Sequence, residues 1–150
     1  MDVGGVKQRI AEFDARNGGN PVHMGNWWRY ANGAVREVEP MGALIDPPGD
    51  EYDRLRNVLN YHRARLNHAV KDFDNLKERL MMSACDHGNG IDRLKELQSI
   101  VSERSKAVED AKAKLAATDQ GQAMERARQQ DADNRQRATD FRGRVKEIRI

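Results

Sequence analysis

Residues 51–80, EYDRLRNVLNYHRARLNHAVKDFDNLKERL, place Tyr52, Leu55, Leu59, His62, Leu66, Ala69, Phe73, Leu76 and Leu80 at a strict alternation of three and four residues. That repeat keeps one narrow stripe on the same side of a helix, and it predicts a partner helix wound with a left-handed supercoil. The repeat resumes at Leu94, Leu97, Val101, Arg104, Val108, Ala111, Leu115 and Thr118. Between the two lies Ser83 to Gly90, a short stretch with Gly88, Asn89 and Gly90 that suits a reversal of the chain. Folding back near residue 87 sets Leu80 beside Leu94, Phe73 beside Val101, Leu66 beside Val108 and Leu59 beside Leu115. Arg104 then lies beside Ala69, a long side chain passing a small one. The expected seam is tight near the tip and weakens toward Leu55 and Thr118.

Upstream, Asp46-Pro47-Pro48-Gly49-Asp50 closes the preceding region, and Asp50 with Asp53 has the spacing of a helix N-terminus. Residues 20–50 contain four prolines and several glycines, which excludes a long helix there. Within them, Asn32-Gly33 separates Trp27-Trp28-Arg29-Tyr30 from Ala34-Val35-Arg36-Glu37-Val38. Asn-Gly between β-prone runs predicts a two-stranded hairpin with a type I′ turn, in which Tyr30 faces Val35 and Trp28 faces Glu37. That register also sets Arg29 against Arg36, an unfavourable like-charge pair unless an acid or anion lies near. Val3, Val6, Ile10 and Phe13, followed by Asn17-Gly18-Gly19, predict a short amphipathic helix with a glycine stop.

Downstream of Gly121 the chain has run past the start of the first long helix. A weaker seam continues through Met124, Ala127, Asp131, Asn134, Ala138, Phe141, Val145 and Ile148, apolar at its ends and polar in its middle. It is offset from the preceding repeat, so the helix rotates its apolar face or breaks near Asp119 to Gly121. A segment of this kind is marginal alone and predicts docking on the N-terminal region or on a second copy.

The expected fold is therefore mostly α: a long antiparallel helical hairpin (coiled coil) with a short N-terminal helix, a small β-hairpin and a C-terminal helix. Its divisions fall at 1–50, 51–120 and 121–150. Composition agrees, since 38% hydrophobic and 33% charged residues with few aromatics suit an elongated helical protein better than a thick globular core. Net charge is only +2, with eight basic and five acidic residues in 121–150 against five basic and seven acidic in 1–50. No apolar run approaches the ~20 residues that span a bilayer. The single cysteine excludes an internal disulfide, so a cytoplasmic protein without membrane contact is expected.

Chemistry-bearing residues are sparse. Cys85, Asp86 and His87 sit together at the tip, but one thiol and one imidazole fall short of the four ligands a zinc site needs, and His23, His62 and His68 are elsewhere. No P-loop, catalytic dyad or clustered carboxylates occur, so no metal, cofactor or catalytic residue is assigned and a non-enzymatic protein is expected. Met81 and Met82, with Cys85 and His87, offer soft side chains to a partner at the tip. Trp27, Arg29 and Arg36 share one face of the expected hairpin, where they pack between modules or, in the alternative, hold a base or phosphate. The nucleic-acid alternative adds the C-terminal arginines. The leading expectation is an interaction or assembly protein whose arm separates tip and base by some 40–50 Å of helix rise. It joins protein partners at tip and base, and copies of itself through the C-terminal seam with Met124, Phe141, Val145 and Ile148.

Overall fold

The computed structural model describes residues 3–38, 42–85 and 88–150. Among these the chain forms four helices, α1 (Val3–Arg16), α2 (Glu51–Ser83), α3 (Gly90–Ala116) and α4 (Asp119–Glu147). Four short strands, β1 (Val22–Met24), β2 (Trp27–Arg29), β3 (Val35–Glu37) and β4 (Leu44–Ile45), form one antiparallel sheet in sequence order. The chain divides into two compact units, Met1–Leu115 and Ala116–Ile150.

In the larger unit α2 and α3 pack as a helical hairpin. Leu59, Val108 and Ala111 form a buried cluster, with Leu66 and Leu115 packed against it, as the fold-back near residue 87 requires. Burial follows the repeat closely: from residue 70 to Ser83, only Phe73, Leu76 and Leu80 of α2 are withdrawn from full exposure. The Arg104 guanidinium donates to the Arg65 carbonyl at 2.9 Å, one turn from the buried Ala69, so the long side chain finds an acceptor beside the small one.

The expected gradient along the seam does not hold. Leu59, Ala69, Val108 and Ala111 are buried, whereas Leu80, Leu94, Phe73 and Val101 near the tip are only half-buried, with Leu97 the buried exception there and Leu55 and Thr118 half-buried at the other end. Two helices alone cover little of each other. Nearer the base α2 has a second neighbour, because it also packs against β1 and β2. A second stripe on α2, Arg54, Asn57, Tyr61, Ala64 and His68, has the same three-four spacing. Asn57 Nδ2 donates to the Gly33 carbonyl at 3.0 Å, His68 Nε2 donates to the His23 carbonyl at 2.7 Å, and Tyr61 and Ala64 are buried.

Helix ends follow local chemistry. The Asp50 carboxylate accepts from the Asp53 N–H at 3.1 Å and starts α2. Ala84, in the left-handed region at φ 51°, ends it, its N–H donating to the Leu80 carbonyl. α3 stops at Ala116 and α4 restarts at Asp119, where the Thr118 hydroxyl accepts from the Gly121 N–H at 3.0 Å. The expected break near Asp119 to Gly121 therefore lies just before that stretch. α1 ends as expected, with Gly18 and Gly19 at φ 87° and 64°.

The β region differs from expectation in two ways. It holds four strands rather than two, and its register is shifted by one residue. Trp27 pairs with Glu37, Trp28 with Arg36 and Arg29 with Val35, so the expected Arg29–Arg36 pair does not form. The turn is the cause. The Gly33 N–H donates to the Tyr30 carbonyl and the Tyr30 N–H to the Ala34 carbonyl, while Gly33 alone takes positive φ, at 97°. That is a three-residue loop with a glycine bulge, one residue longer than a type I′ turn. The Asn32 side-chain oxygen fixes it by accepting from the Ala34 N–H at 3.0 Å.

Candidate functional site

The sheet register gathers the chain's unusual residues at the base. Tyr30 and Phe13 are fully buried, their rings edge to face at 5.2 Å, with Ala34 and Leu44 completing the cluster. The Tyr30 hydroxyl hydrogen-bonds the Asp14 carboxylate and receives Arg36 Nε at 3.0 Å. Arg36 lies 3.7 Å from Asp14 and stacks over the Trp28 ring, 5.2 Å from its centroid. The Trp28 ring also meets the His23 ring at 5.1 Å. Nearby, Asn17 is buried: its Nδ2 donates to the Phe13 carbonyl and to Asp46, and its oxygen accepts from Asn32. Arg16 clamps Asp46 through two hydrogen bonds of 2.9 and 3.1 Å, which holds that carboxyl below its ordinary range.

Burial, reinforced by Asp14 and opposed by Arg36, pushes the Tyr30 phenol up from 10.0 to about 12. The sign of the linkage follows. Below pH 10 the phenol is neutral in both states; between about 10 and about 12 the unfolded chain ionises first, and the fold loses up to roughly 2–3 kcal/mol. Chemical denaturation across that window should show a fall in stability that Tyr30→Phe flattens relative to the parent.

This geometry redistributes the expected Trp-Arg platform. Arg36 sits opposite Trp28, and strand alternation puts Trp27 and Arg29 on the other face of β2. Arg36 is engaged by tyrosine, carboxylate and indole, which leaves it little freedom to meet a phosphate. Arg29 Nε is buried without a hydrogen-bond partner among the described residues, and burial lowers the guanidinium's proton affinity. Sequence reasoning overlooked Asp14, Asn17, Asp46, Asn57 and His68, which lock the base together.

A groove of about 540 Å³ beside the base is lined by Leu55, Val58, Ala111, Arg54, His62 and Lys114, among others. His62 is pushed down by burial and then by Arg65 and Lys114, so it favours the neutral imidazole. Among the described residues, no group of three or more His, Cys, Asp and Glu is placed to hold a metal ion. Nor is any helix long and apolar enough to cross a membrane.

At the tip, Met81 and Met82 are 72% and 81% exposed, and Cys85 is exposed. Met81 does not close the last seam layer, since it lies one residue past Leu80 on the outer surface. Asp86 and His87 fall outside the described residues. In the smaller unit α4 is one continuous helix with no buried residue; Met124, Phe141 and Val145 are exposed along it and Ile148 is exposed at its extended C-cap. Trp27, Arg29 and Arg36 thus share one sheet but not one face of it, while the tip and α4 residues lie on separate elements.

No family model, no curated protein and no solved structure matches this chain.

Proposed function

We propose that the chain is a non-enzymatic interaction protein in which a coiled-coil arm presents an apolar tip at a fixed distance from a rigid base. The observation that supports this most is the pair Met81 and Met82 in solvent at the end of two long helices, where folding has no use for them. Methionine side chains adapt to varied partners. α2 stays in contact with the sheet as far as His68, so the free arm runs from there to Ser83, roughly 22 Å at 1.5 Å per residue. The reach is about half of that expected from the full helix. The base is held by the Asp14–Tyr30–Arg36 network, and the internal engagement of Arg36 argues against a phosphate-gripping hairpin.

Cys85 supplies the test, being the chain's single cysteine and exposed beside the tip methionines. A photo-crosslinker attached there, in the protein's own cellular extract, should yield one discrete protein adduct. Met81→Asp with Met82→Asp should remove it. The same label on a Cys85→Ser, Ser102→Cys variant, on the exposed surface of α3, should not form it. A tip label that gives no protein adduct, or the same adducts as Ser102→Cys, would overturn the reading.

A further inference from the structure

We infer that the C-terminal half of α4 docks an acidic amphipathic helix of another protein, which extends the interaction-protein reading above by naming the chemistry of a partner. The surface is a helix face with two properties. Ala138, Phe141 and Val145 keep three-four spacing on α4, Phe141 and Val145 are 61% and 51% exposed, and Ile148, 80% exposed, follows at the extended C-cap. Such spacing makes a seam one helix wide, narrower than the broad apolar face with which a helix enters a bilayer surface.

The second property is the charge beside that seam. Arg128, Arg135 and Arg142 recur every seven residues along α4, each directly after a seam residue. At about 20° of drift per heptad the three lie within roughly 40° of arc, so they form one row along one flank. Arg137 and Arg144 directly precede Ala138 and Val145 and make the opposite flank basic as well. Toward the N-terminal end the row is neutralised inside the helix: Arg128 pairs with Glu125 at 3.3 Å and Arg135 with Asp131 at 2.9 Å. Among the described residues, Arg137, Arg142, Arg144 and Arg149 make no ion pair. The unpaired arginines therefore border the apolar part of the seam.

This charge pattern selects the occupant. In a parallel pair of identical helices the flank residues face across the seam, setting Arg137 against Arg142. In an antiparallel pair each flank meets its own kind, again arginine against arginine. Both arrangements of a second copy are repulsive along the apolar half. A nucleic acid would satisfy the arginines and leave Phe141, Val145 and Ile148 in water. A helix with apolar residues at its seam and glutamate or aspartate on both flanks satisfies the whole surface at once.

The test uses the full chain and a synthetic heptad peptide with leucine at the two seam positions and glutamate at both flanks, beside a twin with lysine in place of glutamate. Fluorescence anisotropy should show binding of the glutamate peptide and none of the lysine twin. Reversing Arg142→Glu and Arg144→Glu should weaken the glutamate peptide by roughly fivefold per residue and admit the lysine twin. Phe141→Ala with Val145→Ala, which keeps every charge, should abolish binding. All four positions are exposed, so unchanged circular dichroism separates lost binding from lost folding. The inference fails if the glutamate peptide does not bind or if both peptides bind alike. It fails equally if the chain dimerises through α4 in a manner that Phe141→Ala and Val145→Ala abolish, or if anionic vesicles or a generic duplex bind in place of the peptide. A failure here leaves the Cys85 adduct at the tip standing, so the two readings fall separately.

Discussion

Phe13→Ala should lower the stability of the larger unit by about 3–5 kcal/mol, the range for emptying a fully buried aromatic site. Phe13 has no exposed surface, and it is the member of α1 that reaches the ring of Tyr30 and the cluster with Ala34 and Leu44. Its removal also withdraws the ring over which the Arg16 guanidinium lies at 4.9 Å, while Arg16 is what clamps Asp46. Apolar packing and polar clamp should therefore fail together. Thermal unfolding followed by circular dichroism should show a midpoint lower by ten degrees or more, on the scale of several degrees per kcal/mol for a domain of this size. A loss below about 1 kcal/mol would mean that α1 is not anchored through this side chain.

Gly33→Val should be of comparable size, about 3 kcal/mol or more, through a different mechanism. Gly33 takes φ 97°, where a β-branched residue is strained, and a Cβ placed there would lie 3.1 Å from the Arg54 carbonyl oxygen and 3.3 Å from Arg54 Cγ. The oxygen belongs to the backbone of α2 and cannot swing aside. The loop has to lift off the helix, which breaks the bond from Asn57 to the Gly33 carbonyl. Gly33→Ala should show the same loss in weaker form, and Asn57→Ala a smaller one, because it removes the bond without the collision. Denaturant titration of the three variants should rank them in that order; equal stability of Gly33→Val and the parent would contradict the close approach.

The hairpin was legible because its information is apolar and periodic. Leu59, Leu66, Val108 and Leu115 meet where the repeat says they must, for burial of such side chains dominates the choice of register. The base was less legible because its contacts are polar. Arg54, Asn57 and His68 read as an ordinary solvated face of α2, and nothing in their type announces that Asn57 and His68 reach main-chain carbonyls of the sheet. Two strands were missed for related reasons. β1 and β4 are three and two residues long, too short to show alternation. A signal for β1 was present in Gly25-Asn26, a two-residue loop between β1 and β2 with Gly25 at φ 64°. Of the candidate sites, exposure at Met81, Met82, Phe141, Val145 and Ile148 follows from their lying beyond or outside the hairpin. The fate of Arg36 depended on a one-residue shift that Asn32 and Gly33 decide through side-chain and backbone geometry.

The two stripes of α2 impose unequal freedom on the chain's future variation. Between Arg54 and Ala69 that helix answers to α3 on one side and to the sheet on the other, so a substitution there must suit two neighbours at once. Along α4 no residue is buried, and a change at Phe141 or Arg142 alters only what the helix offers to the outside. Mutational drift should accordingly pass over the first segment and accumulate in the second, letting one unchanging frame acquire new binding preferences by small edits to its final helix.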